Sequence, residues 1–198
     1  MNDRLPQVYL ARHGETPWTI TAQHTGSTDL PLTPKGERNA SQLRGRLAGV
    51  AFEEVWTSPL QRAKRTCELA GFGSGNTVVE DLTEWNCGDY EGLTREEIQA
   101  RSPGWNLFRD GCPNGETLAD VTSRVQRVID RIRQQKGDRL LFAHKHFLQV
   151  FAACWLGLPP ATGHQFFLGT AALSIVGYHH GKSDSVIRLW NDRSHLTD

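Results

Sequence analysis

The stretch Arg12-His13-Gly14-Glu15-Thr16 sets a guanidinium beside an imidazole, directly after the short apolar run of residues 7–11. A phosphate dianion needs several donors and positive charge around its oxygens, and arginine offers a planar fork suited to it. An imidazole fixed beside that fork, with Gly14 allowing close backbone approach, is a starting point for phosphate chemistry. Three distant residues extend the set. Arg62 lies one turn into a helix opened by Ser58-Pro59, where side chain and helix N-terminus can both face an anion; it also reads as a surface arginine on an amphipathic helix. Glu84, just before Trp85-Asn86-Cys87-Gly88-Asp89-Tyr90-Glu91-Gly92, reads either as a proton donor or as an ordinary solvated carboxylate. His144 ends a second apolar run, as a site residue or as a core histidine held by backbone.

Bringing such residues together requires strands that end at one edge. Residues 7–11, 52–57 and 139–143 read as buried strands, 77–80 as a shorter one, and 166–168, 173–178 and 186–190 as strands towards the end. Thr33 before Pro34 is an N-cap signal for a helix over 34–49, with Ala40, Leu43 and Leu47 as its apolar stripe. Further helices are predicted from 58 to 70 with Gly71 as the stop, over 94–101, over 117–135 and over 146–156. The longest is 117–135, where Leu118, Val121, Val125, Val128, Ile129 and Ile132 recur at helical spacing. Residues 15–32 are too irregular for helix and form a candidate site loop, and the Gly/Pro/Asn-rich segment 103–115 has the character of a lid or specificity loop. Alternating strand and helix predict an α/β fold, a three-layer α/β/α sandwich with a mainly parallel central sheet. Sheets of this kind bind ligands beyond the carboxyl ends of their strands, where His13 and His144 both fall.

A chain of 198 residues with 38% apolar content is expected to form a single domain over 1–198. Lys+Arg and Asp+Glu balance at 22 each, so the net charge asks for neither nucleic acid nor an anionic membrane. Cys67, Cys87, Cys112 and Cys154 are scattered without a CxxC pair, which suits reduced thiols in a cytoplasm. No apolar run approaches the roughly 20 residues that span a bilayer, so neither export nor membrane anchoring is expected.

In order along the chain, LARHGETPW, TGSTDLPLTPKG, TSPLQRAKRT, EWNCGDYEG, NGET and FAHKHFLQ together resemble the histidine phosphatase superfamily, which has the phosphoglycerate mutase-like fold. The resemblance covers nearly the whole chain. HTGSTDLPLT, EWNCGDYEG and WNLFRDGCPNGET are similar above all to the sedoheptulose-1,7-bisphosphatase-like group of sugar-phosphate phosphatases. It implies that His13 attacks phosphorus, while Arg12, Arg62 and His144 hold the equatorial oxygens and Glu84 protonates the leaving oxygen and later takes a proton from water. Thr25 and Gly26 would add donors, and Thr19, where mutases carry Asn, would make a further phosphate contact. Neither cofactor nor metal is implied, and the expected partner is a small phosphorylated metabolite.

Three positions depart from that pattern. The family carries Gly after the second histidine, and here Lys145 stands between His144 and His146. If that backbone needs positive φ, lysine strains it by about 1–3 kcal/mol; otherwise its side chain points outward, or contacts a second phosphate and partly fills the pocket. Gln149 replaces an Arg, and Arg65 replaces a Gln, adding charge near the pocket or at a solvated helix position. His146 fits the sugar-phosphatase group and either touches substrate or caps the helix it begins. Trp18, Trp85 and Trp105 are pocket or core residues, and His24, His164, His179, His180 and His195 have no partner pattern and default to surface or structural roles. Rival functions are a phosphoglycerate mutase-like phosphotransferase, whose longer insert before the second histidine is missing here, and a catalytically impaired phosphate-binding protein. A zinc hydrolase built on His13, His144 and His146 is disfavoured by Arg12 and Arg62, which would repel a cation.

Overall fold

The computed structural model describes residues 4–197. Among them, β1 (Val8–Arg12), β2 (Glu54–Thr57), β3 (Asn76–Val78), β4 (Arg139–Ala143), β5 (Leu173–Tyr178) and β6 (Ser185–Asp192) form one sheet in the order β3-β2-β4-β1-β5-β6. β3, β2, β4 and β1 run parallel, whereas β5 and β6 are antiparallel additions at one side. The fold is thus α/β with a mostly parallel sheet, as the alternating pattern predicts.

The helices are α1 (Pro17–Ile20), α2 (Pro34–Leu47), α3 (Gln61–Cys67), α4 (Arg95–Arg101), α5 (Leu107–Asp110), α6 (Leu118–Arg133) and α7 (Lys145–Trp155). Strand alternation sorts the core into two layers. Val8 and Leu10 of β1, with Leu141 and Ala143 of β4, pack against Val121, Val125 and Ile129 of α6 and Phe147, Leu148 and Phe151 of α7. Tyr9, Ala11, Leu140 and Phe142 face the other way, onto Leu43 and Leu47 of α2 and Cys67 of α3. Each fully buried branched side chain in these layers contributes about 1.5–3 kcal/mol, so both sheet faces must be covered.

Three expectations are corrected. Residues 166–168 are not a strand: the Phe166 carbonyl accepts from Gln149 Nε2 at 2.6 Å, that of Phe167 from Trp190 Nε1 at 2.7 Å and that of Leu168 from Arg12 at 2.6 Å. Side chains, rather than the backbone of a neighbouring strand, thus supply the donors for these three carbonyls. The loop over 15–32 does contain a helical turn, α1, because Thr16 and Thr19 form a reciprocal capping box around Pro17 at the first helical position. The helix expected over 58–70 is shorter as well: α3 gives way to a wider turn over Glu68–Phe72, closed by Gly71 at φ 99°.

Candidate active site

Parallel register brings the site together. Arg12 lies opposite Ala143 and Thr57 opposite Phe142, so the next residue of each strand, His13, His144 and Ser58, emerges at one edge. His13 N donates to Ala143 O at 3.0 Å and Ser58 N to Phe142 O at 3.0 Å, which locks these strand ends side by side. The His13 and His144 rings stand 5.2 Å apart between centroids, both buried. His144 Nε2 pairs with Ser58 Oγ at 2.8 Å, and its Nδ1 has no partner.

His13 Nδ1 lies 2.7 Å from Gly14 O. A carbonyl only accepts, so Nδ1 carries the proton and Nε2 keeps its lone pair. Burial, then the positive charge of Arg62, competition with the neighbouring His144 ring and the charge of Arg12, hold the His13 pKa well below its ordinary value, outweighing the Gly14 bond. The ring is therefore neutral at neutral pH. Gly14 is required by the packing, since a Cβ there would lie 2.5 Å from Gly36 O at the start of α2.

Both guanidinium groups are sunk beside these rings. Arg12 donates to Leu168 O, and burial lowers its pKa to about 10, which still leaves it charged. Arg62, fully buried, donates to Gly26 O at 2.8 Å and Thr28 O at 2.9 Å, tying the site loop to α3. The Nε of each arginine is buried without a partner. Unpaired buried donors are costly, and an anion among them would satisfy them.

Glu84 follows a 3₁₀ turn over Glu80–Leu82 and is 4% exposed. Its Oε1 accepts from Trp85 N at 2.9 Å and Phe147 N at 3.0 Å, its Oε2 from His146 N at 3.1 Å. The carboxylate thus caps the first turn of α7 from outside the helix, where the dipole favours negative charge. Burial works to raise the Glu84 pKa, but the His146 and His144 rings and the Trp85 N–H outweigh it and hold it well below the carboxylate range.

A cavity of about 250 Å³ opens here, lined by Arg12, His13, Glu84, Thr19, Thr25, Lys145 and His146. Arg62, His144 and Gly26 are buried residues outside that lining. The Thr19 hydroxyl donates to Thr16 O at 2.8 Å and would have to turn to reach a phosphate. Gly26 instead meets Trp85, whose carbonyl would lie 2.3 Å from an added Cβ. His146 does not cap its helix, because its ring lines the cavity with Nδ1 3.5 Å from Glu84.

Lys145 is resolved against two of its three readings. It has no positive φ, and its side chain lines the cavity rather than pointing outward. Burial, followed by the charge of Arg12, lowers its pKa. Arg65 is solvated and pairs with Glu37 and Glu68, and Gln149 is buried. Trp18 lines the cavity, whereas Trp85 is core. His24 corrects its default role: it lines the cavity, parallel to His146 with ring centroids 6.4 Å apart. His13, His144 and His146 do not form a ligand cluster; among the described residues only His179, His180 and Asp184, on the exposed β5–β6 turn, approach that geometry.

Four histidines at this edge, His13, His24, His144 and His146, have pKa values lowered primarily by burial. A depressed folded pKa gives stability that is present above the unfolded value, about 6.5, and lost as pH falls below it. Melting temperature should therefore drop between pH 7 and pH 5, and the drop should shrink in His24→Gln. A melting temperature unchanged over that window would contradict the burial of neutral imidazoles.

Guanidinium groups with unpaired buried donors at parallel strand ends make this an α/β protein equipped to handle phosphoryl groups. Comparison with known proteins narrows the class. The profile of the Histidine phosphatase superfamily (branch 1) matches residues 8–193. An acid phosphatase of Mycobacterium tuberculosis is 37% identical over 186 residues, 91% of each chain. The sedoheptulose 1,7-bisphosphatase of Saccharomyces cerevisiae is 40% identical over 185 residues, 77% of this chain and 68% of the yeast protein. The solved structure of the open reading frame Rv3214 product of M. tuberculosis superposes with a TM-score of 0.89 at 34% identity, covering 95% of this chain and 98% of that one. The chain belongs to the histidine phosphatase superfamily.

Proposed function

We propose that this protein is a metal-independent phosphomonoesterase that passes the phosphoryl group of a sugar phosphate through His13 to water. The observation that carries this reading is the His13 tautomer: a neutral ring whose Nδ1–H is held by Gly14 O leaves Nε2 as the free nucleophile beside Arg12. Nε2 attacks phosphorus, the N–P bond forms and the ester P–O bond breaks in line. Arg12, Arg62 and His144 stabilise the charge on the transferring oxygens, with Thr19, Thr25 and Gly26 at the loop side. Water then attacks phosphorus, the N–P bond breaks, and Glu84 takes the proton that water loses.

The low pKa of Glu84 bears on the first step. In the empty site Glu84 is a carboxylate ready to accept a proton, and the leaving oxygen needs one donated. A bound phosphate dianion raises the pKa of a neighbouring carboxyl, so substrate itself loads the donor. Glu84→Gln should lower kcat/KM for alkyl phosphates by about 10²–10⁴-fold and cost far less with p-nitrophenyl phosphate, whose anion departs without a proton. Equal losses on both esters would remove Glu84 from the donor role.

Similarity to a named sedoheptulose bisphosphatase and a named acid phosphatase supports sugar phosphates as the substrate class. Four free cysteines support a reducing, cytoplasmic setting, and no helix among the described residues is long and apolar enough to cross a membrane. The test is inorganic phosphate release from a panel of sugar phosphates in the presence of a strong chelator, run beside 2-/3-phosphoglycerate interconversion. Release without interconversion is expected; interconversion without release would make the protein a mutase.

A further inference from the structure

The turn that joins β5 to β6 gathers two imidazoles and a carboxylate that the phosphoryl chemistry does not use. Side chains of consecutive strand residues point to opposite faces, but His179 and His180 follow the last residue of β5, and their rings stand 3.8 Å apart between centroids, 49° from parallel. The turn itself brings Asp184 back to them. His179 N donates to Asp184 O at 2.9 Å, and Asp184 N to Gly181 O at 2.9 Å. One ligand atom from each of the three side chains lies within 4.8 Å of the other two.

Asp184 Oδ2 is 3.6 Å from His179 Nδ1. That is too long for a hydrogen bond and close to the roughly 3.3 Å that separates ligand atoms each held about 2.0–2.1 Å from a tetrahedral zinc. Rotation of the exposed His180 ring closes the remaining gap. The lysine of the turn is drawn off as well: Lys182 Nζ reaches Arg133 O at 3.5 Å, and Asp184 has no ammonium or guanidinium partner among the described residues. Two imidazole nitrogens with one carboxylate oxygen suit zinc, nickel or copper, whereas calcium and magnesium take oxygen donors throughout.

We propose that His179, His180 and Asp184 form a surface site for a divalent transition ion of the zinc type, which pins the two strands of the β5–β6 hairpin together where their ladder ends. With three protein ligands, one fewer than a closed structural site, the ion keeps a position for water. β5 runs antiparallel to β1, with Leu173 opposite Ala11 and Val176 opposite Val8, so His179 lies beyond the start of β1, at the sheet edge opposite to His13. An ion there steadies the hairpin and touches none of the groups around the catalytic cavity. The site is independent of the phosphomonoesterase reading, and hydrolysis without metal is compatible with it.

The experiment is calorimetric titration of the full chain, carrying no affinity tag, with Zn²⁺, and with Mg²⁺ and Ca²⁺ as controls. Zn²⁺ should bind and neither control should. His179→Gln, His180→Asn and Asp184→Asn should each weaken zinc binding by about tenfold or more, since even partners outside the ligand shell act on a scale of about 10–100-fold. The three side chains stand outside the core, so the variants should melt like the wild type without metal, and Zn²⁺ should raise the melting temperature of the wild type far more than theirs. Paramagnetic Ni²⁺ should broaden the ring NMR signals of His179 and His180 before those of the other histidines. No zinc binding, equal binding of Mg²⁺ or Ca²⁺, unchanged affinity in all three variants, or broadening that begins at other histidines would overturn the site. Phosphate release that stops in a strong chelator while the three variants stay active would instead contradict the metal-independent reading and leave the zinc titration to be judged by itself.

Discussion

Replacing His13 with alanine should reduce phosphate release by about 10⁴-fold or more, because removal of a covalent nucleophile takes the whole stepwise route away. The change should be nearly silent structurally. His13 makes one side-chain hydrogen bond, to the carbonyl of its own neighbour Gly14, and its backbone N–H still pairs with Ala143 O. His13→Ala should therefore fold, and it should bind phosphate ligands through Arg12 and Arg62. Phosphate release is the measurement; activity within tenfold of wild type would mean that the phosphoryl group never visits His13.

The second large effect is expected at Arg12. Its guanidinium lines the cavity, is buried enough to lower its pKa to about 10, and has an Nε without a partner. A preorganised cation of this kind aimed at a transferring phosphoryl group contributes about 10³-fold or more to rate. Arg12→Lys should rescue little, since an ammonium cannot hold the Leu168 carbonyl and a phosphate oxygen in one plane. Arg12→Ala carries a second signature. Arg12 is one of the charges that depress His13, so its removal raises the His13 pKa, and the acid limb of the kcat/KM profile should move to higher pH. An unshifted limb together with a small rate loss would take Arg12 away from the nucleophile. Arg62 should matter as much, but its bonds to Gly26 O and Thr28 O also hold the loop, so its variants mix chemistry with folding.

Much of this site is legible in the sequence because strand ends are. The apolar runs before His13 and His144 stop abruptly, and parallel pairing of β1 with β4 then places the two histidines side by side. Helices α2 and α6 are equally clear, each opened by a capping threonine, Thr33 or Thr117. What is hidden depends on long-range contacts. His24 reaches the cavity because its N–H donates to Leu93 O and its carbonyl accepts from Gly92 N, far away along the chain. Its only local signal is its place before Thr25 and Gly26 in the loop. Residues 166–168 look like strand by composition, yet Arg12, Gln149 and Trp190 claim their carbonyls. Lys145 shows the same limit: its identity marks a departure, and only its position at the first residue of α7, with its backbone free of positive φ, removes the strained reading.

Glu84 shows how fold and chemistry share one residue. Its carboxylate terminates α7 through His146 N and Phe147 N and sits in the wall of the cavity. The helix start is thereby tied to the group proposed to transfer the proton, and a shift of α7 would move both His144 and Glu84.

The most direct measurement of the central claim is trapping of the intermediate. Wild-type protein mixed with a ³²P-labelled phosphate monoester and quenched in alkali, where phosphohistidine survives and acyl phosphate does not, should retain label on the peptide containing His13, and His13→Ala should retain none. Label on any other residue, or phosphate release at full rate with no trapped label at any quench time, would contradict transfer through His13.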